Sequence, residues 1–244
     1  MSIIAIVPAR YGSTRLPGKA LLSKTGKPLI RHVVESISTA KLVDEVVIAT
    51  DDQRIINAAG EFGAKAVLTG SDCRTGTDRI AQAAKILALD DTDIVVNVQA
   101  DEPEMPGRCV DRCVELLSSG HWHIATLCTK ITPAEAELPN MTKVVFAKDG
   151  TAMYFSRACI PFDRDHNQPV QHYLHHGIYA YHVGFIKLFA KLDSTPAEEA
   201  EKLEQLRAIE HGYKIIVGVT DYRGARIDTP QEYEEFAKRV APSR

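Results

Sequence analysis

The opening stretch, Ile3 to Ala20 (IIAIVPARYGSTRLPGKA), constrains the fold more than any other. Ile3 to Val7 is an apolar, largely β-branched run stopped by Pro8, the pattern of a strand buried on both faces. The character then changes abruptly: Arg10, Arg15 and Lys19 stand among Gly12, Ser13, Thr14, Pro17 and Gly18. Small residues let backbone N–H groups approach a ligand, and the three cations complement an anionic one. At the carboxyl end of a parallel strand, such a loop suits a polyphosphate. A surface loop with solvated charges is the plainer reading. Spacing alone does not remove it, because the loop is neither G-x-x-x-x-G-K-[ST] nor G-x-G-x-x-G.

Strand and helix signals alternate through the first half, which predicts a mostly parallel α/β sheet flanked by helices. The expected elements are a helix from Pro28 to about Thr39, a strand over Glu45–Thr50, a helix over Gln53–Phe62 closed by Gly63, and a strand over Ala64–Thr69. A helix capped by Thr75 runs through Leu87, followed by a buried strand at Asp93–Gln99, a helix at Gly107–Ser118 and a strand at Ile124–Ile131. Asp149-Gly150, between Lys143–Lys148 and Ala152–Arg157, signals a hairpin and hence an antiparallel excursion. A polar loop over Pro161–Val170 follows, and Tyr173 to Tyr181 reads as a metal cluster or as a polar loop entering a strand. Helices follow at Phe185–Leu192 and from Thr195 to about His211, then a strand at Lys214–Thr220 and a last helix at Pro230–Val240.

Several segments carry chemistry. Thr75-Gly76-Thr77-Asp78-Arg79 has capping-box spacing, and a well-capped helix explains it without a ligand. Asp101 and Glu102 fall just past the end of a central strand, where α/β enzymes bind ligands. A hard carboxylate there can hold Mg²⁺ against phosphate oxygens, and a polar turn is the equal alternative. Asp228 precedes Thr229-Pro230-Gln231-Glu232, another capping pattern. His166, His172, His175 and His176 form the densest histidine region, open to a metal cluster or an ordinary polar loop. Cys109 and Cys113 share a helical face near His121 and His123, but a buried apolar role for the cysteines outweighs a zinc site, since C-x-x-C is absent.

Composition narrows the class. The 244 residues suffice for one sizeable core, read as a single domain over 1–244. A net charge of −3 argues against a general nucleic-acid binder while leaving room for a local basic pocket. The start MSIIAIVPAR lacks the pattern of a signal peptide, and no apolar run reaches bilayer length, so a cytoplasmic protein without a membrane partner is expected. Five cysteines, an odd count, fit reduced thiols.

Pro8-Ala9-Arg10, Ser13 and Arg15-Leu16-Pro17-Gly18-Lys19 together resemble the signature loop of the sugar nucleotidyltransferases, in the branch that activates sugar acids with CTP. The later segments match in order: Thr75 to Arg79, Asn97-Val98-Gln99-Ala100-Asp101-Glu102-Pro103, Tyr154-Phe155-Ser156-Arg157, His175 to Tyr179, Leu203-Glu204-Gln205-Leu206-Arg207, and Ile227-Asp228-Thr229-Pro230. The resemblance spans Ile3 to about Glu235. It implies a Rossmann-like fold of the nucleotide-diphospho-sugar transferase kind, with a small antiparallel dimerisation and sugar-binding subregion at about 130–185. It also implies a homodimer, Mg²⁺ as cofactor, and CTP and a 3-deoxy-octulosonic acid as substrates. CMP would pass to the anomeric 2-hydroxyl with release of pyrophosphate, for lipopolysaccharide synthesis. The best-matching acid is Kdo, with its 8-amino analogue or another acid such as a sialic acid as runner-up.

Residue by residue, the resemblance makes Arg10, Lys19, Asp101 and Asp228 catalytic, the two aspartates as metal ligands. It assigns Ala9, Arg10, Ser13, Arg15, Lys19, Thr75, Gly76, Thr77, Arg79 and Gln99 to the nucleotide. Gln99, Arg157, His175, Tyr179, Glu204 and Gln205 fall to the sugar. Three departures stand out: Ala100 replaces a usual Gly, which would strain a turn needing positive φ, while Leu174 and His182 stand where cations are common. A non-catalytic nucleotide-binding scaffold and a dinucleotide oxidoreductase are the competing classes. The acidic pair beside a basic loop disfavours the first, and the missing G-x-G-x-x-G the second.

Overall fold

A computed structural model describes residues 1–12, 16–165, 170–224 and 226–240. Among them, β1 (Ile3–Ala9) leads through a one-turn 3-10 helix (Lys19–Leu21) to α1 (Leu29–Ile37), β2 (Glu45–Thr50), α2 (Gln53–Glu61), β3 (Lys65–Leu68), α3 (Gly76–Ile86) and β4 (Ile94–Asn97). Then come α4 (Gly107–Ser118), β5 (Ile124–Ile131), the short α5 (Pro133–Ala136), β6 (Lys143–Phe146), β7 (Ala152–Ser156) and β8 (His172–His182). The chain closes with α6 (Val183–Phe189), α7 (Pro196–Glu201), α8 (Gln205–Glu210), β9 (Ile215–Thr220) and α9 (Pro230–Val240).

The main sheet runs β3-β2-β1-β4-β8-β5-β9. Every pairing along it is parallel except those of β8, which runs against β4 and β5. Period-two alternation sends Ala5, Val7 and Ala9 to one face, against Ile30, Val33, Ile37, Val110 and Cys113. Ile4 and Ile6 go to the other, against Ile80, Ala83, Val183, Ile186 and Phe189. Burial on both faces explains why β1 and β4 read as unbroken apolar runs. The expected hairpin forms from β6 and β7, and joins the sheet through Lys143 opposite Leu174 and a bridge from Thr151 to Ile216.

Two expectations need correction. The segment Tyr173 to Tyr181, read as a metal cluster or as a polar loop entering a strand, is strand throughout: β8 pairs with β5 from His172 opposite Ile131 to Tyr181 opposite Ile124. The helix expected from Thr195 to about His211 is two helices. Lys202, at φ 53, adopts the left-handed conformation and ends α7. The reason is packing: α7 buries none of its residues, whereas α8 buries Gln205, Leu206, Arg207 and Ala208. One straight helix could not serve both environments. Ala100, by contrast, is not among the non-glycine residues with positive φ, so its turn carries no such strain.

A small third cluster docks the end of the chain on its beginning. Leu29, Ile227, Tyr233 and Phe236 bury together, with Leu16, Leu22 and Val240 against them. Tyr233 adds a polar tie, its hydroxyl accepting from the Lys24 backbone N–H at 2.8 Å. Among the described residues, no helix is long and apolar enough to cross a membrane.

The crossing of β8 and β5 contains a register shift between Thr126 and Cys128. There Thr126 Oγ1 donates to the Ile178 carbonyl at 2.7 Å and lies 3.0 Å from His175 Nε2. With the hydroxyl proton committed, His175 is the donor of that second bond. Its ring packs edge-on to Phe155, with centroids 4.8 Å apart. Burial first, and then His176, pushes the His175 pKa down to about 3 from the ordinary 6.5.

Two outcomes follow from this packing. Phe236→Ala should lower stability by about 3 kcal/mol in urea unfolding. It should also deprotect the Ile227 amide, which donates to the Asp101 carbonyl at 2.9 Å, in hydrogen exchange. Between pH 6.5 and about 3 the unfolded chain takes up a proton that native His175 refuses, so stability falls as pH drops through this window. His175→Gln should make that fall shallower by up to ~1.4 kcal/mol per pH unit, read from denaturation midpoints across the window.

Candidate active site

The site is built where β1 and β4 end. Ala9 is the last residue of β1, and the loop beyond it is closed by the Gly18 N–H donating to the Tyr11 carbonyl at 3.0 Å. Gly18 needs its positive φ of 66 to turn the chain into the 3-10 helix that begins with Lys19. A Cβ there would meet the Tyr11 ring at 3.4 Å, an ordinary contact, so the backbone conformation alone calls for glycine. That ring is fixed from its other side by the Arg54 guanidinium, 3.4 Å from the centroid.

Held this way, Lys19 Nζ reaches three oxygens: Asp101 Oδ2 at 2.8 Å, the Ile227 carbonyl at 2.9 Å and Asp228 Oδ1 at 3.3 Å. The two acidic motifs, far apart in sequence, therefore converge on one ammonium. Asp228 precedes a capping box, in which its own N–H and that of Thr229 donate to Glu232 Oε2 at 2.7 and 2.8 Å. Asp101 sits in the turn that leaves β4, where the Glu102 N–H donates to the Gln99 carbonyl at 3.2 Å.

Arg226 completes the group, with Nε 3.1 Å from Asp101 Oδ2 and 3.2 Å from Asp228 Oδ2. Burial pushes the Asp101 carboxyl up, but Arg226 and Lys19 outweigh it and hold the pKa below the ordinary range. Burial likewise opposes the Arg226 charge, and Asp101 and Asp228 more than restore it. Glu102 lies beside the pair, and Arg226 offsets its burial only in part. Burial, then the Asp101 charge, raises its pKa to about 7.

The group forms one wall of a cavity of about 540 Å³. Ala9, Arg10, Lys19, Thr75, Gly76, Arg79, Gln99, Asp101 and Asp228 line it, so most of the residues expected to meet the nucleotide or the metal come together. Ser13 and Arg15, expected among them, lie outside the described residues. The Thr75 capping box forms as expected, with its hydroxyl accepting from the Asp78 N–H at 3.1 Å. Arg79 is nearly buried and its guanidinium is engaged, by Thr69 at 2.5 Å and Asp51 at 2.8 Å, so its main work is to hold the cavity wall. Gln99 Nε2 donates to Asn97 Oδ1 at 3.2 Å.

The remaining expected residues do not line this cavity. Thr77 turns below it and donates to Glu204 Oε2 at 2.5 Å. Arg157 Nε donates to the Glu201 carbonyl at 2.7 Å, beneath a turn whose carbonyl is held by buried Lys143 at 2.6 Å. His175 and Tyr179 pack against each other, centroids 5.4 Å apart. Gln205 Nε2 and Glu204 Oε1 are buried without a hydrogen-bond partner. A second cavity, about 590 Å³, lies between α1 and α2 beside Arg31, Glu35, Phe62 and Lys65, away from every matched motif.

Arg226, Glu102 and Arg74 also belong to the site, yet they were not assigned from sequence. Arg226 was signalled only by lying two residues before Asp228, and Glu102 by lying inside a matched motif. Of the histidine-rich stretch, His166 lies outside the described residues; His172 Nδ1 meets the Ile160 carbonyl at 2.9 Å, and His176 packs on Tyr222. Cys109 and Cys113 are buried core residues. Among the described residues, no cluster of three or more His, Cys, Asp or Glu is arranged to cage a metal. The Asp101–Asp228 pair is a different kind of donor set. Buried Asp101 Oδ1 has no hydrogen-bond partner, and hard carboxylate oxygens with an open position suit a cation that takes its other ligands from phosphate and water.

A cytidylyltransferase family model matches residues 4–215. The 8-amino-3,8-dideoxy-manno-octulosonate cytidylyltransferase of Shewanella pealeana is 47% identical over 237 residues, covering 95% of this chain and 96% of that one. The 3-deoxy-manno-octulosonate cytidylyltransferase of Thermodesulfovibrio yellowstonii is 44% identical, with 98% of each chain covered. A solved CMP:2-keto-3-deoxy-manno-octonic acid synthetase complexed with CTP superposes with a TM-score of 0.93 at 37% identity, over 98% of both chains. Motif order, site geometry and these similarities agree: the chain belongs to the cytidylyltransferase family.

Proposed function

We propose that the protein transfers CMP from CTP to the anomeric 2-hydroxyl of 3-deoxy-D-manno-octulosonate (Kdo), giving CMP-Kdo and pyrophosphate for lipopolysaccharide synthesis in the cytoplasm. The observation that carries this reading is the convergence of Asp101 and Asp228 on Lys19, beside a cavity lined by the cationic loop. The 8-amino sugar is the second reading, favoured by the name of the relative from S. pealeana.

The reaction is a problem of positioning and charge. A sugar hydroxyl attacks the α-phosphorus in line while pyrophosphate departs. Arg10, Lys19, Arg74 and Arg226 all face the cavity and would neutralise the triphosphate and its leaving group. Thr75 and Gly76, at the start of α3, would seat the cytidine end. Asp101 and Asp228 would hold Mg²⁺, and their oxygen donors fit it. That ion, when bound, supplies charge neutralisation at the phosphates and a lowered pKa for the attacking hydroxyl. Gln99, Arg157, His175, Tyr179, Glu204 and Gln205 would hold the sugar acid. His175 would do so as a neutral imidazole, given a pKa near 3. No cysteine is needed as a nucleophile. Cys109, Cys113 and Cys128 are buried, and burial raises each thiol pKa.

We also read the protein as a homodimer through the region at about 130–185. Phe162, Met153 and Leu138 are 81%, 62% and 45% exposed there, an apolar set that a second copy would cover.

Pyrophosphate release with CTP, MgCl₂ and a panel of Kdo, 8-amino-Kdo and a sialic acid tests the main reading. Turnover with Kdo is expected, and no release with any acid would overturn it. Asp101→Asn and Asp228→Asn should each lower turnover by at least ~100-fold at limiting magnesium, with the far-ultraviolet circular dichroism unchanged. Full activity in either variant would remove the acidic pair from the mechanism. Phe162→Asp combined with Met153→Asp should convert a dimer to a monomer in light scattering. An unchanged mass would place the interface elsewhere.

A further inference from the structure

The break between α7 and α8 is unusual in being made by lysine. Lys202 stands at φ 53 with no glycine's freedom, a conformation that costs an L-residue free energy and persists only where its surroundings impose it. The surroundings here are specific. On one side, Glu201 is committed to the β7 end: its carbonyl accepts from Arg157 Nε at 2.7 Å, and its carboxylate from Ser156 Oγ at 2.5 Å and the Arg157 N–H at 2.9 Å. On the other side, Leu203 is buried and Glu204 is bonded to Thr77 at 2.5 Å. The chain between two anchored neighbours has to turn within one residue, and that turn puts the exposed Lys202 on the wall of the catalytic cavity.

Chemistry gives the position meaning. In the chain, Lys202 directly follows Glu201, which holds Arg157, and stands two residues before the Glu204–Gln205 pair; Arg157, Glu204 and Gln205 are all read above as sugar contacts. Gln205 Nε2 is buried and without a hydrogen-bond partner, as a group awaiting a polar ligand would be, and Glu204 Oε1 has only the Arg207 guanidinium, 3.8 Å away. The nearby carboxylates are already engaged: Glu198 by Arg207 at 2.5 and 2.8 Å, Glu201 as described. No ion pair to Lys202 forms among the described residues. An ammonium without an ion pair therefore lines the same cavity as Gln99, read above as a contact of the sugar acid.

We infer that Lys202 is a specificity-determining residue of the sugar subsite, attracting the anionic sugar acid and disfavouring a sugar that carries an ammonium in place of its terminal hydroxyl. The inference rests on the transferase reading above. Kdo and its 8-amino analogue differ at that one group, and the similar enzymes named above divide between them. Like charges in a confined, partly desolvated cavity repel over several ångströms, so Lys202 need not touch the eighth carbon to discriminate.

The test compares wild type with Lys202→Gly, which accepts the same backbone conformation without the charge, and Lys202→Arg, which keeps the charge. The ratio of kcat/KM for Kdo to that for 8-amino-Kdo should fall ~5-fold in the glycine variant and persist in the arginine variant. The wild-type ratio should shrink at high salt, and KM for CTP should not change. A ratio equal in all three proteins, or an effect confined to KM for CTP, would overturn the inference. If wild type released no pyrophosphate with either sugar, the transferase reading would fall. Calorimetric binding of the two sugars to the CTP-loaded protein would then decide the inference alone, and equal affinities for wild type and Lys202→Gly would refute it.

Discussion

The contact of Lys19 with both Asp101 and Asp228 governs the rest of the structure. Two carboxylates so close repel each other in a partly buried setting. Lys19 and Arg226 make the arrangement tolerable by giving each acid two cations to face. The same arrangement ties three remote parts of the chain together. Lys19 follows β1, Asp101 follows β4, and Asp228 precedes α9. The packing of Leu29, Ile227, Tyr233 and Phe236 is what brings the last of these into range. Core packing at the end of the chain is in this sense part of what assembles the Lys19–Asp101–Asp228 group.

Much of this was legible because the signals were local. Glu45–Thr50, Gly107–Ser118, Ile124–Ile131 and Pro230–Val240 have the same bounds in sequence and structure. In each, periodicity, capping and breakers agree on one answer. The capping boxes at Thr75 and Thr229 were readable for the same reason: both partners lie within four residues.

What was not legible depended on distant partners. The polar residues that open Tyr173 to Tyr181 leave loop and strand equally open. The ladder to β5 makes it strand. Nor does the periodicity of Pro196–Glu210 contain a break, which arises because Arg157 and Thr77 seize the residues on either side of Lys202. Arg226 escaped notice because an arginine beside Asp228 is indistinguishable in sequence from any surface cation. Its role exists only once Asp101, from another part of the chain, stands 3.1 Å away. Arg157 shows the converse. Its planar fork suits a carboxylate, yet in this structure its Nε is spent on a backbone carbonyl.

The electrostatic state of the centre bears on how substrates would be received. Two anions facing two cations leave the acidic pair close to neutral, and the cavity keeps further cations at Arg10 and Arg74. A nucleoside triphosphate entering with a divalent cation still brings net negative charge, which this surplus complements. The incoming cation would compete with Lys19 and Arg226 for the same carboxylate oxygens. The displaced ammonium and guanidinium would not lose their purpose, because phosphate oxygens would then lie within their reach. Exchange of partners, rather than creation of new charge in a buried place, lets one set of residues be stable when empty and complementary when filled.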